Sequence, residues 1–82
     1  MQWTRTAAKL EKEFSFENFS QALDFVVAVG EIAEEMGHHP DIHLINYSNV
    51  LIETTTHDEG NAVTDKDEQL AAAVDRLYAD RG

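Results

Sequence analysis

The chain has 82 residues, no cysteine, and 16 acidic against 6 basic side chains, for a formal net charge of −10. That length allows one small domain, the lack of thiols excludes disulfides and thiolate zinc as its support, and the charge repels phosphate backbones and so argues against direct nucleic-acid binding. A hydrophobic share of 43% fits a packed core, and a small core without staples predicts self-association. The opening residues lack the apolar stretch of a signal peptide. The longest apolar run, Phe25 to Val29, is far short of the ~20 residues of a membrane span, so a cytoplasmic protein with no membrane contact is expected.

Lys9 to Phe16 alternates, with Leu10, Lys12, Phe14 and Phe16 on one side and charged or small residues on the other. A period of two predicts a half-buried strand, with Trp3 to Thr6 as a short partner joined through Ala7-Ala8. A helix follows. Asn18 is its N-cap and Gln21 its reciprocal partner in a capping box. Phe19, Ala22, Leu23, Val26, Val27, Gly30, Ala33 and Met36 recur at three- and four-residue spacing and are read as its core stripe. Gly37 ends it and Pro40 prevents its continuation.

Ile42 to Asn46 and Asn49 to Thr56 read as strands joined at Tyr47-Ser48, the second with Val50, Ile52, Thr54 and Thr56 on one face. The polar stretch Asp58 to Asn61 is a turn. Thr64, with Asp67 three residues on, opens a last helix whose buried stripe is Leu70, Ala73, Val74, Leu77 and Tyr78. Strands and helices in this order predict a two-layer α+β domain over residues 1–82, with helices on one face of an antiparallel sheet.

Chemistry is suggested by four histidines, at 38, 39, 43 and 57. Imidazole exchanges protons near neutral pH, and His38, His39 and His57 stand at segment ends, where side chains line pockets. Each has an ordinary alternative reading: His-His-Pro as surface decoration, His57 as a polar strand end, His43 as a solvent-facing strand residue. His39 and His43 have metal-ligand spacing, but Pro40 between them opposes the helix which that spacing needs, and no metal is expected. Glu34 lies one turn before His38. Asp67 has a structural role available as a first-turn acid at a helix N-terminus. No nucleophile elbow or glycine-rich phosphate cradle occurs.

The ordered set Glu34-Glu35-Met36-Gly37-His38-His39-Pro40-Asp41, Tyr47-Ser48-Asn49-Val50, Thr55-Thr56-His57-Asp58 and Val63-Thr64-Asp65-Lys66-Asp67 with Leu70-Ala71, preceded by Phe14-Ser15-Phe16 and Asn18-Phe19, resembles the pterin-4a-carbinolamine dehydratase family from about Trp3 to Tyr78. The resemblance implies a four-stranded antiparallel sheet with helices on one side, assembly into a homodimer or homotetramer, and no cofactor. It implies removal of water from 4a-hydroxytetrahydropterin to give quinonoid dihydropterin in tetrahydrobiopterin recycling. His38, His39 and His57 would be histidines of one shared pocket, Glu34 and Asp67 supporting acids, and Pro40 part of the wall.

Two departures bear on this. The helix that precedes the first strand in some members has no counterpart here, which would alter oligomer contacts. The turn from Asp58 to Ala62 lacks the family's paired glycines and is one residue longer, which bears on Asp67. A family member in animals is a dimerisation partner of a homeodomain transcription factor, so the resemblance also implies an alternative, a binding module without catalysis.

Overall fold

Alternation along β2 (Leu10–Ser15) sends Leu10 and Phe14 to a buried face, and β4 (Asn49–Thr54) does the same with Val50, Ile52 and Thr54. The two strands pair antiparallel, Leu10 opposite Thr54 and Phe14 opposite Val50, so these side chains make one continuous apolar surface. β1 (Thr4–Arg5) extends the sheet beyond β2, and β3 (Asp41–Ile45) pairs with β4 at the other edge, giving the antiparallel order β1-β2-β4-β3. This is a computed structural model, and it describes residues 3–81; residues 1, 2 and 82 of the expected domain lie outside the described residues.

Two helices, α1 (Phe19–Met36) and α2 (Asp65–Arg81), cover the apolar surface of the sheet and each other. The expected two-layer α+β architecture is therefore present. Phe14, Ala22, Phe25, Val29, Val50, Ile52, Leu70 and Val74 form the core. Tyr78 adds its ring against Phe14, Phe16 and Phe25, with its hydroxyl donating to the Ser15 carbonyl. Lys12 occupies a position on the helix-facing side, where its Nζ reaches Asp75 Oδ1 at 2.8 Å and lies over the Phe14 ring. Asp75 also accepts from Trp3 Nε1, so one carboxylate of α2 holds both the chain start and β2.

The core stripe of α1 differs from the expected one. Ala22, Phe25, Val29 and Ala33 face the sheet, whereas Phe19, Leu23 and Val27 are 50%, 44% and 56% exposed. The helix carries two adjacent apolar stripes, both with helical spacing, and periodicity alone does not choose between them. In α2 the buried residues are Leu70, Ala71 and Val74; Ala73 and Leu77 are half-buried, and Tyr78 is partly exposed.

The ends of the elements place the site. Asn18 Oδ1 accepts from the Gln21 N–H as expected, but Gln21 returns its bond to the Glu17 N–H rather than to Asn18. Gly37 adopts a left-handed φ of 65°, and the N–H groups of Gly37 and His38 close onto the Glu34 and Ala33 carbonyls. Such a stop fixes where the next residues emerge. The β3–β4 connection is three residues long, with Asn46 and Tyr47 both at positive φ. After β4, an isolated Thr56–Ala62 bridge clasps a loop containing a 3-10 turn, His57–Glu59, that ends at left-handed Gly60.

Burying a large apolar side chain contributes far more than leaving one on the surface. Phe25→Ala is expected to lower the unfolding free energy by about 3–5 kcal/mol. Leu23→Ala, at low protein concentration, should lower it by less than about 1 kcal/mol. Urea titration of the two variants checks which stripe is the core.

Candidate active site

Because β3 runs antiparallel to β4, the end of α1, the start of β3, the end of β4 and the start of α2 meet at one end of the sheet. Glu34, His38, His39, Pro40 and Asp67 lie in these segments, and His57 follows β4 in the 3-10 turn.

Asp67 is the best-fixed of them. It is the third residue of α2 and wholly buried. Its Oδ1 accepts from Thr54 Oγ1 at 2.6 Å and pairs with His38 Nε2 at 2.7 Å. Its Oδ2 accepts from Thr56 Oγ1 at 2.7 Å and from the Thr64 N–H at 2.9 Å. The last bond is half of a capping box, the N3 acid reaching back to the N-cap backbone. Burial pushes the carboxyl up, but the bonds from Thr54, His38, the Thr64 backbone and Thr56 outweigh it and hold Asp67 down at about 2. Asp67 is therefore an anion throughout the physiological range.

His38 and His39, though adjacent, diverge. His38 turns inward to Asp67, with its side chain 11% exposed, while His39 Nε2 turns back to the Glu34 carboxylate on the surface. His38 also borders a hollow of about 230 Å³ lined by Met36, Gly37, Lys66 and Gln69. His39, Glu34 and Pro40 line a separate open groove of about 530 Å³, whose other walls are Val27, Gly30, Glu31, Ala33 and Ile42. His57 is exposed in the 3-10 turn, its Nδ1 2.8 Å from Asn61 Oδ1, and it lines neither hollow. The fold thus brings His38 to Asp67 and His39 to Glu34 with Pro40. It ties His57 to the first pair only through its neighbour Thr56. This differs from a single pocket rimmed by three imidazoles. The reason is local: the left-handed turn at Gly37 releases the chain so that consecutive rings leave on opposite sides.

His43 is a surface residue of β3, as read from the sequence, and pairs with Glu53 at 2.6 Å. Hydrogen bonding from Lys9, assisted by His43, outweighs burial and lowers the Glu53 pKa. Among the described residues no group of three or more His, Cys, Asp or Glu side chains is placed to share a metal ion. No helix among them is long and apolar enough to cross a membrane.

Thr54, Thr56 and Thr64 were not among the sequence candidates. A signal for the first two existed: alternation put them on the face of Val50 and Ile52, and a buried hydroxyl requires a polar partner.

The family model described as pterin 4 alpha carbinolamine dehydratase matches residues 1–77, which include all of these side chains. The chain belongs to that family. A provisionally named pterin-4-alpha-carbinolamine dehydratase 2 of Gloeobacter violaceus is 50% identical over 68 residues, covering 83% of this chain and 72% of the relative. A provisionally named dehydratase of Sulfolobus acidocaldarius is 41% identical over 75 residues, covering 92% and 80%. Among solved structures, a transcriptional coactivator/pterin dehydratase from Brucella melitensis superposes with a TM-score of 0.83 at 28% identity, over 93% of this chain and 81% of that one. A pterin dehydratase-like protein identified as a RuBisCO assembly factor of the alpha-carboxysome gives 0.73 at 26%, over 94% and 87%. The pterin dehydratase fold thus includes a protein described by its role in assembly.

The buried anion makes stability depend on acid. Asp67 titrates at about 2 when folded and near 3.9 when unfolded. The unfolded chain therefore takes up the proton first, and the stabilisation is complete above about pH 4 and is lost as pH falls towards 2. Roughly 2–3 kcal/mol is at stake. Denaturant titrations between pH 5 and 2 should show this loss in the wild type, with a flatter profile in Asp67→Asn.

Proposed function

We propose that the protein is a cytoplasmic pterin-4a-carbinolamine dehydratase, a lyase that removes water from 4a-hydroxytetrahydrobiopterin to give the quinonoid dihydropterin during tetrahydrobiopterin recycling. The observation that carries this reading is a pair of imidazole–carboxylate couples, His38–Asp67 and His39–Glu34, at one end of the sheet of a chain that belongs to the dehydratase family.

The reaction needs a proton delivered and a proton removed. The C4a–O bond breaks as the N5 lone pair forms a C4a=N5 double bond. An acid protonates the departing oxygen, which leaves as water, and a base takes the N5 proton, so the protonation state is restored over the cycle. Imidazoles suit both tasks near neutral pH. The groove beside His39 has the largely apolar lining that a fused heteroaromatic ring prefers, with Glu34 and His39 among its polar groups. His39 or His57 is assigned as the principal acid–base group, with His38 binding substrate or sharing that role. Pro40 shapes the wall. No cofactor is assigned.

The same reading includes a homodimer or homotetramer. Phe19, Leu23 and Val27 expose an apolar stripe on α1 that leads into the groove, since Val27 belongs to both. Covering it would supplement a small core.

A second reading, a binding module without catalysis, is favoured by that exposed stripe and by the structural neighbours described as a coactivator and an assembly factor.

An assay of 4a-hydroxytetrahydropterin dehydration against the spontaneous rate separates the two. Acceleration is expected, with His38→Ala, His39→Ala and His57→Ala each lowering kcat/KM by roughly 10²–10⁴-fold. No acceleration by the folded protein leaves the binding module. Sedimentation should show an oligomer that Leu23→Glu shifts towards the monomer.

A further inference from the structure

The position of every proton around Asp67 can be worked out from the donors present. Asp67 is an anion and offers only lone pairs. Thr54 has a single hydroxyl proton, and Asp67 Oδ1 at 2.6 Å takes it; His38 Nε2 stands farther from that hydroxyl, at 3.3 Å. Thr56 likewise gives its proton to Asp67 Oδ2 at 2.7 Å and accepts in turn from Thr64 Oγ1 at 2.7 Å. No proton then remains on the oxygen side for His38 Nε2. A bare nitrogen lone pair 2.7 Å from a carboxylate oxygen would be repelled, so Nε2 must carry its own hydrogen and donate it. In the neutral ring Nδ1 is then the atom with the free lone pair. Among the described residues no hydrogen bond engages it.

We propose that Thr54 and Thr56 are positioning residues: their two hydroxyls hold the Asp67 carboxylate with Oδ1 against His38 Nε2 and so lock His38 as the Nε2–H tautomer, with Nδ1 as its proton-exchanging atom. Nδ1 takes a proton and the resulting imidazolium is balanced by Asp67. Lys66 is a further cation in the wall of the hollow beside His38. Neither threonine touches substrate in this arrangement. If either hydroxyl is removed, the carboxylate loses an anchor and is no longer held against Nε2. A ring without a fixed acceptor at Nε2 populates both neutral tautomers.

The value of the tautomer to the reaction rests on the dehydratase reading, but the tautomer itself does not, so the test has two independent arms. The first is long-range ¹⁵N–¹H correlation of the His38 ring in the wild-type protein, Thr54→Val, Thr56→Val and the corresponding serine variants, with circular dichroism to confirm folding. The wild type should show a protonated Nε2 and an acceptor Nδ1. The valine variants should show a mixture of tautomers, and the serine variants should restore the wild-type pattern. The second arm is kcat/KM for dehydration, expected to fall roughly 10- to 100-fold in the valine variants, as when an outer partner of a working imidazole is removed, with KM little changed and serine restoring the rate. A wild-type His38 with its hydrogen on Nδ1, or valine variants that fold and keep the wild-type pattern, overturns the proposal. A wild-type pattern as expected in a protein without dehydratase activity sustains it and overturns the catalytic reading alone.

Discussion

A buried carboxylate is tolerated only where the surrounding groups replace the water it has lost, and the end of this sheet is built around one. Asp67 draws two hydroxyls from β4 and its extension, one N–H from the start of its own helix, and an imidazole from the segment after α1. Those four bonds join three elements that are distant in the chain. No apolar contact at that end supplies such direction, because hydrophobic burial fixes distance more than orientation. The core made by Phe14, Phe25, Ile52 and Leu70 holds sheet and helices together. The Asp67 cluster decides how their ends are aligned, and so where His38 and Thr56, the neighbour of His57, come to rest.

The two imidazole–carboxylate couples are unlike in environment. His38–Asp67 is buried and held by further donors, whereas His39–Glu34 lies on the surface, where solvent screens the pair. A buried couple suits holding a charge or a tautomer, and an exposed one suits meeting a ligand that enters from solvent. The groove beside His39 joins the exposed stripe of α1, so substrate access and self-association draw on neighbouring parts of one helix.

Much of this was legible in the chain. The order of elements, the inward faces of β2 and β4, the Asn18 cap and the Gly37 stop follow from periodicity and from the conformations that single residues favour. Asp67 could be placed at a helix start, and Glu34 one turn from His38. What escaped was choice among equals. Two stripes on α1 have the same spacing, and only the sheet selects Phe25 and Val29 over Leu23 and Val27. Gln21 accepts from the Glu17 N–H instead of the Asn18 N–H. The meeting of Thr54 and Thr56 with Asp67 depends on how α2 docks, a long-range event with no local signature. The separate outlets of His38 and His39 depend on how the chain leaves Gly37, which a motif of adjacent letters does not convey.

That divergence sets a rule for how the gene can vary. Because neighbouring rings leave Gly37 in opposing directions, the inward and outward roles are assigned by counting residues from the helix stop. Exchanging one side chain for another leaves the count intact. Inserting a single residue between Gly37 and His38 would shift that count and send the wrong ring to each destination.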